Sequence, residues 1–167
     1  MRQLHSFIYF LLLFSAPACA QQTLEERLES LYHHTVPLVY PAEFSSWQSG
    51  QNNLVVLDIR SAEEYQVSHI PGAQLIDYEE FTSQDVTHLA REGKVVVYCS
   101  VGYRSERIGE KMQELGFKEV YNLYGGIFEW KNQGHQVIDP QGQPTDSVHT
   151  YNKNWSRWLE KGIKVYD

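Results

Sequence analysis

Short apolar runs alternate along the chain with longer stretches in which apolar residues recur at helical spacing. The apolar runs cover residues 54–57, 73–76, 95–98 and 120–123. Runs of this length predict buried strands, and the stretches between them predict helices. Because strands that alternate with helices usually pair in parallel, the pattern predicts an α/β fold with a parallel β-sheet flanked by helices on both faces.

The clearest strand–helix unit begins with the third run. There the strand 95–98 leads into a helix that Ser105 is predicted to begin and Gly116 to end. Three apolar residues share one face of that helix: Ile108, Met112 and Leu115. The residues between this strand and this helix therefore form a loop at the carboxyl end of the strand.

A short helical segment, residues 21–36, precedes the alternating pattern. Leu24, Leu28 and Leu31 fall on one helical face, and Thr23 ahead of them is the predicted N-cap. We expect this helix to lie outside the main core.

A C-terminal extension, residues 137–167, follows the alternating pattern. It carries four large aromatic residues: Tyr151, Trp155, Trp158 and Tyr166. Such a segment is too aromatic for a free linker, so we expect it to pack on the domain and bury those rings. The alternative is an exposed aromatic patch that binds a partner.

The first 20 residues have the layout of a secretory signal peptide. Arg2 precedes an apolar run at residues 7–14, and small residues follow at Ala16, Ala18 and Ala20. The run is much shorter than the roughly 20 residues that cross a bilayer, so no transmembrane segment is predicted. We expect cleavage after Ala20 and an exported protein, either periplasmic or secreted.

The alternative for this segment is a lipoprotein anchored at Cys19. Cleavage after Ala20 would remove Cys19 and leave Cys99 as the one cysteine, which excludes a disulfide within the monomer. A lone thiol in an oxidising compartment is either a buried, inert side chain or a reactive one.

The charge balance of the chain is acidic. Lysine and arginine number 14 against 21 acidic residues, a net charge of −7. Loss of residues 1–20 removes Arg2 and no acidic residue, so 13 basic residues face 21 acidic ones and the charge becomes −8. This balance argues against a nucleic-acid-binding surface.

The loop after strand 95–98 is the best candidate for chemistry. It reads Cys99, Ser100, Val101, Gly102, Tyr103 and Arg104, and Ser105 follows. In an open parallel sheet, ligands bind at the carboxyl ends of the strands, where Cys99 stands. A loop that enters a helix N-terminus points its backbone N–H groups inward, and Gly102 permits a tight curl. With Arg104 nearby, the sequence favours a reactive thiolate at Cys99.

Three motifs, in order, resemble the rhodanese, or sulfurtransferase, domain. The first comprises Asp58 to Arg60, Glu64 with Tyr65, and His69 to Ala73, with Ser68 where the family usually has glycine. The second is the six-residue loop from Cys99 to Arg104, and the third is Gly125 to Trp130. The resemblance covers about residues 37–136, which we take as the domain.

The resemblance implies a fold, a reaction and site residues. In this family the cysteine thiolate, here Cys99, takes sulfur from thiosulfate or a persulfide and passes it as a persulfide to a thiol or cyanide. Residues 100–105 would bind substrate, and Arg104 would order the loop and offset the charge of an anionic donor. Asp58 and Arg60 follow a strand and could pair with each other, cap the next helix or border the pocket, and we take them as supporting residues. We expect a monomer that acts on small sulfur compounds.

Two other functions use a similar arrangement. A persulfide or thiol carrier, or a partner-binding rhodanese module, would share the fold without turnover. A tyrosine phosphatase or arsenate reductase also places a cysteine loop before a helix, but the phosphatase loop has five residues between cysteine and arginine. Only four separate Cys99 from Arg104, which indicates a smaller cradle.

No metal or cofactor is predicted. The chain has no Cys-x2-Cys pair, and His33 and His34, being adjacent, cannot both face one ion without distant ligands. Gly125 and Gly126 lack the further glycine and the lysine of a phosphate-binding loop.

Overall fold

The computed structural model describes residues 22–50 and 53–166. The predicted signal peptide and the alternative lipid anchor at Cys19 lie outside the described residues. Within those residues, no helix has the length and apolar character needed to span a membrane.

The centre of the protein is a five-stranded sheet in which every pair of neighbours is parallel. Its strands are β1 (Leu38–Val39), β2 (Leu54–Asp58), β3 (Ala73–Leu75), β4 (Lys94–Tyr98) and β5 (Glu119–Leu123). Their order across the sheet is β1-β5-β4-β2-β3. The four predicted strands are present, and β1 adds an edge strand too short to stand out in the sequence.

Helices follow or precede these strands along the chain. They are α1 (Leu24–Glu29), α2 (Pro41–Gly50), α3 (Ala62–Val67), α4 (Tyr103–Glu114), α5 (Gly126–Asn132) and α6 (Lys153–Ser156), with a 3-10 turn at Ser83–Val86. The α/β class is confirmed.

Side chains of the central strands alternate between two buried clusters, as a strand period of two requires. On one face, Val96 packs in a cluster that includes Phe44 of α2 and Trp130 of α5. On the other face, Val97 packs in a cluster with Ile108 of α4. The sheet is therefore covered by helices on both faces, as predicted.

Helix α1 belongs to the main core, so the expectation that it lies outside is wrong. Thr23 caps it in a reciprocal capping box with Glu26. Leu28 is fully buried in the same cluster as Phe44 and Trp130. Its burial follows from the position of α1 against the Gly125 turn, since a side chain added at that glycine would lie 3.5 Å from Leu28.

The C-terminal extension continues the fold with four short strands. These are β6 (Val137–Ile138), β7 (Pro144–Thr145), β8 (Ser147–His149) and β9 (Ile163–Val165). Trp158 and Leu159 are buried in the main cluster, whereas Tyr151 and Tyr166 remain exposed. Lys131 of α5 also binds Asp146 over 2.6 Å. The extension thus contacts the domain and still presents aromatic rings to solvent.

Candidate active site

Cys99 directly follows β4 and forms part of the floor of a cleft of about 640 Å³. Its side chain is nearly buried, with 1% of the residue exposed. The backbone N–H of Gly102 donates a hydrogen bond to Cys99 Sγ over 3.2 Å. The loop therefore curls back on the sulfur, and this N–H donor stabilises negative charge there.

Helix α4 begins at Tyr103, two residues before the predicted start at Ser105. The shift follows from Gly102, which caps the helix at φ +94, a left-handed conformation that favours glycine. Ser105 instead lies in the first turn, where its hydroxyl donates to Asn122 over 2.8 Å. Asn122 in turn donates to the carbonyl of Gly102 over 2.9 Å and ties the loop to β5.

The first turn of α5 holds the other side of the loop. The N–H groups of Ile127 and Phe128 donate to the carbonyls of Cys99 and Ser100, over 2.9 and 3.2 Å. This approach requires Gly126, because a Cβ at that position would lie 2.2 Å from the Cys99 carbonyl oxygen. Gly125 and Gly126, which belong to the third motif, thus allow the backbone of α5 to approach the backbone of the cysteine loop closely.

Tyr32, from the N-terminal segment, fixes the loop from a third direction. Its hydroxyl donates to the Val101 carbonyl over 2.7 Å and accepts from the Gly125 N–H over 2.9 Å. Its ring fills the space beside Gly102, where a Cβ would lie 2.2 Å from the hydroxyl. Burial raises the pKa of Tyr32 far above its ordinary value, so the hydroxyl keeps its proton and remains a donor.

The guanidinium of Arg104 is held by Glu64 of α3. Two hydrogen bonds of 2.8 and 2.9 Å join Arg104 to the two carboxylate oxygens, and Arg104 also reaches Ser100 Oγ over 3.1 Å. Ser100 Oγ donates to Glu64 over 2.8 Å and closes the triangle. The fork of arginine suits this two-point contact, which orders the loop.

The environment keeps both members of this pair ionised. Burial acts to raise the pKa of Glu64, but the hydrogen bond and charge of Arg104 outweigh it, and the pKa is lowered. For Arg104, burial acts to lower the pKa, and the negative charges of Cys99 and Glu64 raise it on balance. Much of the charge of Arg104 is therefore compensated before any substrate enters.

Asp58 and Arg60 form a fully buried ion pair of 2.7 Å and do not line the cleft. Tyr98, the last residue of β4, donates its hydroxyl to Asp58 over 2.6 Å, and Arg60 donates to the Ser68 carbonyl over 2.6 Å. The Ser68 backbone is extended, at φ −172, so a serine there causes no strain. This network supports the strand end that precedes Cys99.

The structure brings together most of the loop residues named from the sequence. Cys99, Ser100, Val101, Tyr103 and Arg104 line the cleft. Gly102 and Ser105 are buried and shape the loop without lining the cleft.

Among the other residues that line the cleft are Glu64, His149, Tyr151 and Trp155, none of which was assigned to the site from the sequence. Glu64 stands in the first motif, three residues after its capping partner Ser61. His149, Tyr151 and Trp155 lie in the C-terminal extension, and the many aromatic residues of that extension were the one sequence feature that could have indicated them.

The C-terminal extension provides one wall of the cleft. Tyr151 places its ring 5.6 Å from the Arg104 guanidinium carbon, a cation–π contact. Its N–H donates to Nδ1 of His149 over 3.2 Å. Trp155, on α6, is half-buried and also faces the cleft.

The family model of the Rhodanese-like domain matches residues 40–133. The chain belongs to this family. The matched residues contain the sheet from β2 to β5 and the whole cysteine loop, whereas Tyr32, His149, Tyr151 and Trp155 lie outside them.

Curated relatives of this rhodanese-like protein carry more than one kind of name. The tRNA uridine(34) hydroxylase of Cytophaga hutchinsonii is 37% identical over 95 residues, 54% of this chain and 30% of that protein. The thiosulfate sulfurtransferase GlpE of Coxiella burnetii is 34% identical over 82 residues, 48% of this chain and 75% of that protein. The chain thus spans less than a third of the hydroxylase and most of the sulfurtransferase.

A solved structure supports the same fold. The BH2092 protein of Bacillus halodurans superposes with a TM-score of 0.58 at 26% identity, covering 71% of this chain and 85% of that one. The rhodanese-like architecture expected from the three motifs is confirmed.

Proposed function

We propose that the protein is a sulfurtransferase that carries sulfane sulfur on Cys99 as a persulfide. The observation that carries the proposal is the 3.2 Å hydrogen bond from the Gly102 N–H to Cys99 Sγ on the floor of a cleft. A preorganised donor at the sulfur stabilises the attacking thiolate without reorganisation during the reaction. The sulfurtransferase name of the relative from Coxiella burnetii supports the same chemistry.

The reaction has two displacements. First, the Cys99 thiolate attacks the sulfane sulfur of the donor. A bond forms between Sγ and that sulfur, and the donor leaves with the electron pair of the broken bond, as sulfite from thiosulfate or as a thiolate from a persulfide. Second, a thiol or cyanide acceptor attacks the outer sulfur, and the electron pair returns to Sγ. The cycle balances without a metal or cofactor.

A persulfide is the better donor in this proposal. Arg104 is bound to Glu64 by two hydrogen bonds, so little of its charge is available to a dianion such as thiosulfate. The net charge of the chain is also negative, which slows the approach of anions. We expect thiosulfate turnover with a high KM that depends on salt, and more efficient use of a less charged persulfide donor. Kinetics with thiosulfate and glutathione persulfide side by side, across salt concentrations, compare the two kinds of donor.

Mass spectrometry tests the persulfide directly. The tryptic peptide of residues 95–104 contains Cys99 and no other cysteine. After treatment with a donor, this peptide should gain the mass of one sulfur atom and lose it on treatment with cyanide or a thiol. Cys99→Ser should abolish transfer while the protein stays folded; a variant that retains the rate contradicts the proposal.

Measurements of catalytic turnover distinguish a sulfurtransferase from a carrier or binding module and from a phosphatase or arsenate reductase. A carrier or partner-binding module would be loaded once and would not turn over donor in the presence of small acceptors. A phosphatase or arsenate reductase would turn over an aryl phosphate or arsenate with no sulfur transfer. The contact of Arg104 with Glu64 and the four-residue spacing from Cys99 favour sulfur over a phosphate-sized anion.

We also propose that the protein is exported. The support is the order of Arg2, the apolar run 7–14 and the small residues before Gln21. N-terminal sequencing of the periplasmic or secreted protein should begin at Gln21. A blocked, lipid-modified Cys19 would establish the lipoprotein alternative instead.

A further inference from the structure

The lining of the cleft has an excess of negative charge. Four carboxylates line it: Glu63, Glu64, Asp77 and Glu79. Arg104 is the one lysine or arginine among the described lining residues, and its two-point contact with Glu64 compensates its charge. Three carboxylates, Glu63, Asp77 and Glu79, remain; we call them the acidic rim.

The acidic rim lies near the entrance. Glu63 and Glu79 are exposed, and Asp77 is half-buried with one carboxylate oxygen bound to the Glu79 N–H over 2.9 Å. Glu63 is close enough to His149 for the two side chains to interact electrostatically. A charged compound that enters the cleft must therefore pass the field of these carboxylates before it reaches Cys99.

Cations beside the cleft do not reverse this balance. Arg107 contacts the ring of Tyr103, but its guanidinium is bound to Glu110 over 3.0 Å and lies 3.6 Å from Glu106. Arg27 lies 5.2 Å from the ring of Trp155 and does not line the cleft. Even with Arg27 counted, the carboxylates remain in excess.

Another part of the cleft lining is apolar and aromatic. Tyr151 and Trp155 of the extension, together with Leu31 of the N-terminal segment, line it; we call these three the aromatic wall. Tyr151 stands at φ +63, a conformation that is costly for a residue with a large side chain. This backbone places the ring over Arg104 at the cleft.

We propose that the cleft selects thiols and persulfides of small-molecule size that carry their sulfur on a positively charged, partly apolar group. The cleft volume of about 640 Å³ suits an organic molecule much larger than thiosulfate. The acidic rim attracts the charge, and the aromatic wall contacts the apolar part and the cation. The proposal rests on Cys99 as the reacting sulfur.

Charged methanethiosulfonates test the selection without turnover. The Cys99 thiolate attacks the thiol-side sulfur of the reagent, a disulfide forms, and methanesulfinate leaves with the electron pair. The probes are the trimethylammonioethyl and sulfonatoethyl reagents, and their adducts are followed over time on the peptide 95–104. The rate of the cationic reagent at Cys99 is divided by the rate of the anionic one. This ratio is then divided by the ratio measured with a small free thiol, which corrects for the difference in intrinsic reactivity between the two reagents.

We expect Cys99 to favour the cationic reagent by about tenfold at low salt, and less as salt screens the rim. The combined variant Glu63→Gln, Asp77→Asn and Glu79→Gln should lower the ratio towards one. The matched control, Glu92→Gln, Glu114→Gln and Glu160→Gln, removes the same charge at exposed positions that do not line the cleft. It should keep the wild-type ratio.

Two neutral reagents test the aromatic wall. The benzyl and methyl methanethiosulfonates differ in apolar size, and we expect the wall to favour the benzyl reagent at Cys99. Tyr151→Gly should reduce that preference severalfold while stability is kept, because glycine tolerates φ +63. An unchanged preference in Tyr151→Gly would overturn the part of the proposal that concerns the wall.

Three results would overturn the charge selection: equal rates for the two charged reagents, a preference for the anionic one, or equal effects of the rim and control variants. Failure of the proposed function would look different. In that case the peptide 95–104 would gain no sulfur from any donor, while the ratio of reagent rates would still report the charge selection.

Discussion

Tyr32 donates a hydrogen bond from its hydroxyl to the main-chain carbonyl of Val101 over 2.7 Å, across 69 positions of the chain. The same hydroxyl accepts from Gly125, so one side chain joins the cysteine loop to the turn before α5. Nearby, Glu106 of α4 accepts the backbone N–H groups of His33 and Thr35. The N-terminal segment is thus a structural part of the active site, although it lies outside the residues matched by the family model.

Replacement of Tyr32 by phenylalanine tests this role. Tyr32→Phe leaves the Val101 carbonyl and the Gly125 N–H without their partner in the interior, and we expect it to lower the free energy of unfolding by about 1–3 kcal/mol. We also expect about tenfold slower persulfide formation, because the loop loses its position. Urea denaturation and single-turnover mass spectrometry measure both.

Tyr40→Phe is the control, since Tyr40 is 52% exposed. It should leave both quantities near the wild-type values. Equal rates and equal stability in Tyr32→Phe and wild type would show that the loop does not depend on this contact.

Substitutions at Arg104 separate charge from geometry. Arg104→Lys keeps the charge but cannot reproduce the two-point contact with Glu64, so we expect about a tenfold loss of turnover. Arg104→Ala leaves the buried Glu64 carboxylate uncompensated, and we expect a loss of about a hundredfold together with lower stability. Steady-state kinetics with a persulfide donor measure the series. Identical activity in all three proteins would show that the backbone of the loop suffices.

The Arg104–Glu64 pair also predicts a pH dependence of stability. The pKa of Glu64 is lowered in the folded protein from its ordinary value of 4.5. The ion pair therefore contributes its full stabilisation above a pH of about 4.5, the ordinary pKa of Glu64. This stabilisation is lost as the pH falls through the lower pKa of the folded state. Glu64→Gln should be less stable than wild type at neutral pH, and the difference should shrink in acid. Urea midpoints across this range measure it; a constant difference would contradict the linkage.

Two glycine substitutions compare a close backbone contact with an open position. In Gly126→Ala, the new Cβ meets the Cys99 carbonyl at 2.2 Å and the backbone stays at φ +56, so we expect a loss of about 2–4 kcal/mol and poor persulfide loading. Gly134→Ala has φ +88 but nothing within 4 Å, so it should cost about 1 kcal/mol and leave loading intact. Thermal unfolding and mass spectrometry check the pair. Similar behaviour of the two variants would exclude the contact as the cause.

The sequence by itself determined four of the five strands of the sheet, the helix after β4 and the identity of the cysteine loop. Strand and helix periods are local properties, and the loop from Cys99 to Arg104 is continuous, so its residues are near one another in any fold that places a strand before α4. The start of α4 was predicted two residues too late, at Ser105, because Tyr103 can begin the helix only when Gly102 adopts a left-handed conformation.

The tertiary structure alone decided which distant residues complete the site. Glu64 meets Arg104, Tyr32 meets Val101, and Tyr151 meets Arg104 only after the sheet has brought their elements to one edge. No local periodicity encodes such pairings, because they depend on strand order and on the paths of the two segments that flank the domain. For the same physical reason, the composition of the chain gave its overall negative charge, but only the fold placed the acidic rim and the aromatic wall around Cys99.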